Sequence, residues 1–138
     1  MAHFLKVYVI LIPICFIIDF LWLGVLMGGF YQSQLGTMVR RVGGSFAPDK
    51  WAALAVYILI PLGIMLFALP HVNRDHLPYS ALMWGFVYGV VLYGVYDMTN
   101  LAMLVRWPLK MALVDIAWGG MICAIVTLIA AWLDGQIG

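Results

Sequence analysis

Residues 79–104 read YSALMWGFVYGVVLYGVYDMTNLAML, and this stretch decides the fold. Its only formally charged side chain is Asp97. A helix of roughly 20 mostly apolar residues crosses the hydrocarbon of a membrane, and a helix is favoured there because it satisfies its own backbone hydrogen bonds. The stretch therefore predicts a transmembrane helix that carries one carboxyl group inside it.

The composition of the whole chain agrees with a membrane protein. Of its 138 residues, 66% are hydrophobic and 9% are charged, whereas soluble domains carry about 25% charged residues. Most of the surface therefore cannot face water, which excludes an ordinary soluble enzyme and a disordered chain. The formal net charge of +1 provides no basic field for nucleic acid, so we expect no nucleic-acid partner.

Four runs of this kind predict an all-α integral membrane protein, a bundle of four transmembrane helices. The predicted spans are 4–28, 51–69, 79–104 and 109–133, and residues 1–138 are predicted to form a single transmembrane domain because the loops are short. The first loop is longer and places Leu35, Met38 and Val42 beside Arg40 and Arg41. This spacing suits an amphipathic surface helix over residues 31–42, and a solvated loop is the alternative.

The basic residues near the span ends predict the orientation. Two of them, Lys6 and Arg74, lie at the N-terminus and in the second loop. Five lie at the first and third loops: Arg40, Arg41, Lys50, Arg106 and Lys110. Lys and Arg are enriched on the cytoplasmic side of membrane proteins. We therefore expect the first and third loops in the cytoplasm and both termini outside it.

Three of the six acidic residues fall within predicted spans: Asp19, Asp97 and Asp115. An ionised carboxylate costs several kcal/mol at bilayer depth, and such residues usually pair or mark a function. The helical rise of about 1.5 Å per residue puts all three at depths of roughly 10 to 14 Å below the cytoplasmic surface. The sequence therefore predicts one layer of carboxyl groups contributed by three helices.

The other polar residues of the spans extend this candidate site. On the third helix, Tyr93, Asp97 and Asn100 share a face with the small residues Gly85 and Gly89, so this face should point into the bundle. The full predicted ligand-binding set is Asp19, Asp97, Asn100, Asp115, Trp22, Trp118, Tyr93 and Thr99.

Motifs for known catalytic or cofactor chemistry do not occur in the sequence. It contains no nucleophile elbow, phosphate-binding loop, zinc motif or dinucleotide fingerprint, so no cofactor and no catalytic residue is predicted. Hard cations prefer oxygen ligands, but nothing in the sequence sets a coordination geometry. No metal site is therefore predicted.

The sequence resembles a family of bacterial membrane proteins known as domain of unknown function 2177. The resemblance covers nearly the whole chain and rests on Asp19-x-x-Trp22-x-Gly24, Phe30-Tyr31, Tyr96-Asp97-x-Thr99-Asn100-Leu101-Ala102, Trp107-Pro108-Leu109 and Asp115-x-x-Trp118-Gly119. Met103 and Ala112 depart from the threonine usual in such proteins. The resemblance implies a four-span protein of the bacterial inner membrane and implies no activity, because the activity of the family is not established.

The aspartates suggest three functional hypotheses. The first is a binder or carrier of an amphiphilic or cationic ligand, with or without proton coupling, whose partner is a membrane lipid or an amphiphilic small molecule. The second is a lipid-modifying membrane enzyme or its accessory subunit, in which one Asp acts as acid and another as base. The third is a structural partner of another membrane protein. A homodimer through the faces Gly24-x-x-x-Gly28 and Gly85-x-x-x-Gly89 would enlarge a ligand pocket.

Overall fold

Four helices in the structure are long and apolar enough to cross a membrane. A computed structural model describes residues 1–137, and the four spans are Ala2–Leu26, Lys50–His71, Tyr79–Met103 and Leu109–Ile137. The predicted all-α membrane fold is confirmed. The last span continues a full turn beyond the predicted end at residue 133, because Asp134 is held there by contacts to other elements. That residues 1–138 form one domain stays a prediction.

The elements, in chain order, are as follows. The helices are α1 (Ala2–Phe20, continued by a wide π-helical turn over Leu21–Leu26), α2 (Gly28–Leu35), α3 (Lys50–Gly63, continued by a π-helical turn over Ile64–Ala68), α4 (Tyr79–Met103) and α5 (Leu109–Ile137). Short 3₁₀ turns occupy Gly36–Met38, Leu69–His71 and Arg74–His76. The strands β1 (Arg41–Val42) and β2 (Ser45–Phe46) form an antiparallel hairpin with Arg41 opposite Phe46.

The first loop differs from the predicted surface helix over residues 31–42. Helix α2 ends at Leu35 because Gly36 has a φ of 57° and a ψ of −122°, a backbone conformation that glycine adopts easily and that cannot continue a helix. The chain then forms the β1–β2 hairpin, whose turn uses Gly43 and Gly44 at positive φ. Tyr31 on α2 is buried, so α2 packs into the protein on that side.

Helix α5 forms the centre of the bundle. More than half of its most apolar stretch is buried, against a third or less in the other spans. It packs against α4 and α1, and α1 packs in turn against α3. The main apolar core includes Val7, Leu11, Cys15, Ile60, Ile64, Met65, Ala68, Trp118, Ile122, Cys123, Val126 and Ala130.

Glycines bring α4 and α5 into direct backbone contact. A Cβ atom on Gly85 would lie 2.7 Å from the Cα of Ala124, and one on Gly89 would lie 2.6 Å from the carbonyl carbon of Gly119. Small residues permit this close approach between membrane helices. The Gly85-x-x-x-Gly89 face is thus covered by α5 of the same chain, and a homodimer, which stays a prediction, would need another surface.

The N-terminus, the second loop and the end of α5 meet at one end of the bundle. The His3 imidazole lies 2.6 Å from a carboxyl oxygen of Asp134, and the Arg74 guanidinium donates to the other oxygen. Arg74 also donates to the carbonyl oxygen of Ala131 at 3.1 Å. The first and third loops, with their five basic residues, consequently share the opposite end.

Candidate functional site

Asp19 on α1 is buried, and each of its two carboxyl oxygens accepts a hydrogen bond from another helix. Its Oδ2 accepts a hydrogen bond of 2.6 Å from the Tyr57 hydroxyl on α3, and its Oδ1 accepts one of 2.9 Å from Nε1 of Trp118 on α5. Each carboxyl oxygen therefore has a partner, and Asp19 ties α1 to both α3 and α5.

Two tryptophans continue the network from Trp118. The rings of Trp22 and Trp118 stack with centroids 4.3 Å apart and planes 3° apart. Nε1 of Trp22 donates to the Tyr31 hydroxyl at 3.0 Å, and that hydroxyl donates to Oδ1 of Asp115 at 3.0 Å. Burial, together with the nearby Asp115 carboxylate, raises the pKa of Tyr31, so the phenol keeps the proton that it donates.

Asp97 on α4 lies at the far end of this chain of contacts, and its surroundings differ from those of Asp19. Its side chain is completely buried, with a relative exposure of 0%. It lies beside the Asp115 carboxyl and the Trp107 indole, yet neither of its oxygens has a hydrogen-bond partner among residues 1–137. An unpaired buried polar group costs about 1 to 3 kcal/mol, and more when charged.

Trp107 adds a third unpaired polar atom at the same place. It lies in the connection between α4 and α5, with its ring edge-on to Tyr96 at a centroid distance of 5.9 Å. Its Nε1 is buried and has no hydrogen-bond partner within the described part of the chain. Two carboxyl oxygens and one N–H group are therefore left unpaired around Asp97.

The remaining members of the predicted set are spread around this network. The Tyr93 ring packs against Gly119, close to both Asp19 and Asp115. Asn100 is half-buried and lies beside Tyr96, one helical turn from Asp97. Thr99 has an exposed side chain, because it lies on the outer side of α4, and the structure does not bring it to the other members.

Three contributors to the network are absent from the predicted ligand-binding set: Tyr31, Tyr57 and Trp107. Tyr31 was expected on a surface helix, and Trp107 fits an aromatic belt at the membrane boundary. In the sequence, a Tyr or Trp within an apolar run can equally be an aromatic residue at the membrane boundary or a hydrogen-bond donor to a buried carboxyl group. These three residues could have been anticipated from the requirement that each buried carboxyl group has a hydrogen-bond donor nearby.

Two surface clefts lie away from Asp19, Asp97 and Asp115. One cleft, at the end that holds both termini, is lined by residues of the second loop and the start of α4, among them His71, Asn73, His76 and Trp84. A smaller apolar groove runs between α4 and α5 and is lined by residues from Tyr79 to Ile125. Within residues 1–137, no group of three or more His, Cys, Asp and Glu side chains is placed to hold a metal ion.

The geometry divides the acidic residues by their chemical roles. Both oxygens of Asp19 accept a hydrogen bond from another helix, which suits a structural cross-link. Asp115 has one phenol donor, and Asp97 has none. Asp97 and Asp115 together can share a proton, or can both accept hydrogen bonds from a cation that lies between them.

Comparison with curated proteins and with solved structures gave no match to this chain. Residues 4–132 match a family described as "Predicted membrane protein (DUF2177)". The four membrane-spanning helices fit that description. Because the match covers nearly the whole chain, the protein belongs to the family known as domain of unknown function 2177.

Proposed function

We propose that the protein binds, and carries within the membrane, the cationic headgroup of an amphiphile at Asp97 and Asp115. The observation that supports this proposal is the fully buried Asp97 carboxyl, which has no hydrogen-bond partner among residues 1–137. A primary ammonium group carries three donors and no acceptor. It therefore provides both the charge and the hydrogen bonds that Asp97 lacks.

The neighbouring Asp115 couples this binding to protons. Two carboxyl groups side by side in a medium of low dielectric resist being ionised together, because their like charges repel. A cation between them removes this repulsion. Binding of a cationic headgroup should consequently release the proton that the pair otherwise shares.

Asp19 has a different part in this proposal. Its two oxygens already accept hydrogen bonds from Tyr57 and Trp118, so Asp19 needs a ligand less than Asp97 does, which has no such partner. We assign Asp19 to holding the helices together and Asp97 with Asp115 to the ligand.

The test uses dodecylamine as the cationic probe and dodecanol as its neutral match. Native mass spectrometry of the detergent-solubilised protein counts bound molecules, and a pH dye in weak buffer records proton release. Asp97→Asn should weaken dodecylamine binding by about tenfold or more, since hydrogen bonds to charged groups contribute about 1.5 to 3 kcal/mol. The exposed Asp75 supplies the control: Asp75→Asn should bind as the wild type does.

Other results would favour the alternative functions. Dodecylamine binding that is equal in the wild type and Asp97→Asn would refute the proposal. If the wild type binds no dodecylamine and Asp97→Asn changes only thermal stability, the structural-partner hypothesis gains. If dodecylamine does not bind but deletion of the gene alters membrane lipids, the hypothesis of a lipid-modifying enzyme or accessory subunit is favoured.

The proposal places the protein in the bacterial inner membrane with its first and third loops in the cytoplasm. The five basic residues of those loops, which share one end of the bundle, support this orientation. Asp97 and Asp115 lie nearer that end, because Asp97 precedes the third loop and Asp115 follows it. The headgroup would therefore be bound in the cytoplasmic half of the membrane.

A further inference from the structure

The two ends of the bundle differ in their side-chain charge. The end formed by the first and third loops carries five basic residues and one acidic residue, Asp49, so its formal charge is +4. The opposite end carries Lys6 and Arg74. Asp75 and Asp134 balance them there, so the formal charge of that end is zero when histidine is counted as neutral. The end with excess positive charge is therefore the one that attracts anionic groups.

The positive charges of the first loop are not neutralised by carboxylates of the protein. The side chains of Arg40, Arg41 and Lys50 are exposed. In the described part of the chain, ion pairs occur only at Asp134, which lies at the opposite end. The carboxylate of Asp49 is turned to the start of α3, where it accepts a hydrogen bond of 2.8 Å from a backbone N–H. The three basic side chains are thus available to phosphate groups outside the protein.

The β1–β2 hairpin of this loop presents apolar side chains next to the cations. Arg41 lies opposite Phe46, and the second cross-strand pair is Val42 with Ser45. All four side chains are exposed, Val42 at 75% and Phe46 at 52%. A two-stranded hairpin that stands alone in water is marginally stable at best. A surface that takes up its apolar side chains would therefore stabilise this hairpin.

The covalent chain keeps the hairpin close to the membrane surface. Phe46 precedes Lys50, where α3 begins, by four residues, and four residues of chain span at most about 14 Å. Trp51, in the first turn of α3, is 79% exposed. Tryptophans at the ends of spans are typical of the layer of lipid headgroups. The surface nearest to the hairpin is consequently this headgroup layer.

We infer that the hairpin binds anionic phospholipid, with Arg40, Arg41 and Lys50 pairing with lipid phosphates and Phe46 entering the headgroup layer. Guanidinium groups match phosphate oxygens because they donate two hydrogen bonds in a fixed geometry. An anionic lipid is favoured over an acidic protein because the chain already holds these side chains beside the bilayer. The inference is independent of the proposed function, since it concerns another surface and a ligand of the opposite charge.

The test uses dioleoylphosphatidylglycerol and dioleoylphosphatidylcholine, which share their acyl chains and differ in headgroup charge. Native mass spectrometry of the detergent-solubilised protein gives an affinity for each lipid, and the ratio of the two is the measured quantity. The wild type should bind the anionic lipid about tenfold or more tightly. Arg40→Gln and Arg41→Gln should each lower this ratio by about fivefold, which is the contribution of one basic residue near an anionic lipid surface.

Lys6→Gln is the matched control, because Lys6 is an exposed cation at the opposite end of the bundle. It should keep the full preference for the anionic lipid. Because the ratio is taken within one variant, a partial loss of folded protein cancels. Phe46→Ser should weaken the binding of both lipids and leave their ratio unchanged, since an apolar contact does not distinguish headgroup charge. At a salt concentration of about 1 M, where the Debye length is about 3 Å, the wild-type ratio should approach one.

Three results would overturn the inference. A wild-type ratio close to one would leave an acidic protein as the partner of these cations. A ratio that falls as much in Lys6→Gln as in Arg41→Gln would show that only the net charge of the protein matters. Unchanged binding of both lipids in Phe46→Ser would remove the hairpin from the headgroup layer. None of these results affects the dodecylamine test, which depends on Asp97.

Discussion

Replacing Gly89 by alanine should force helices α4 and α5 apart. The added Cβ would lie 2.6 Å from the carbonyl carbon of Gly119 and 2.8 Å from the Cβ of Cys123. Both distances are far below van der Waals contact between carbon atoms, which begins near 3.5 Å. Neither neighbour is the flexible end of a long side chain, so the contact is relieved only when one helix shifts as a whole.

The expected change in the free energy of unfolding follows from two opposing effects. Overpacking a well-packed contact costs about 1 to 3 kcal/mol, and a backbone contact should lie at the upper end of that range. The change from glycine to alanine in a helix favours folding by up to about 1 kcal/mol. We therefore expect Gly89→Ala to lower the free energy of unfolding by about 1 to 2 kcal/mol.

Gly94 provides the matched control on the same helix. A Cβ there meets no atom of a neighbouring element within 4 Å, so Gly94→Ala should be neutral or stabilising. Gly120→Ala should fall between the two, because its Cβ would meet the ring of Phe86 at 2.6 Å, and a side chain can turn aside. The assay is reversible unfolding by sodium dodecyl sulfate in mixed micelles. Equal free energies for the Gly89 and Gly94 variants would refute this account of the α4–α5 contact.

Two further predictions follow from the hydrogen bonds and the orientation. Tyr57→Phe removes the 2.6 Å hydrogen bond to Asp19 and should lower the free energy of unfolding by about 1 to 3 kcal/mol in the same assay; an unchanged value would remove the structural role assigned to Asp19. For the orientation, a membrane-impermeant maleimide should label Asp75→Cys in intact spheroplasts and Arg106→Cys only after permeabilisation, with little background because both native cysteines are buried. The reverse pattern would place both termini in the cytoplasm.

The four spans could be predicted from sequence because crossing a membrane imposes a length and an apolar composition that few other structures share. The structure of the first loop could not be predicted in this way. The residues after α2 have the spacing of an amphipathic helix, and only the backbone shows that Gly36 takes a positive φ and stops it. A single glycine is too common for its conformation to be read from the chain.

The candidate site was predictable to a similar extent. Asp19, Asp97 and Asp115 stand out because carboxyl groups are rare within apolar runs. The difference between a hydrogen-bonded Asp19 and an unpaired Asp97 depends on which aromatic side chains reach them across helices. This depends on how each helix is rotated and packed against the others, and a single sequence carries little of that information. Thr99 shows the same limit: it lies in sequence between the polar Asp97 and Asn100, but its side chain is exposed on the outer side of α4.

The parallel stacking of Trp22 on Trp118 provides an intrinsic spectroscopic probe of this part of the protein. The two indole rings have centroids 4.3 Å apart and planes within 3° of parallel, so they are close enough for their electronic transitions to interact. Where the transition moments are twisted relative to each other, such an interaction gives two circular dichroism bands of opposite sign. The strength of this signal depends on the spacing of Trp22 and Trp118, and therefore on how the π-helical turn after α1 packs against α5. Because each indole N–H also donates to one part of the carboxyl network, a rearrangement of that network that moves either ring would change this signal, with no dye attached.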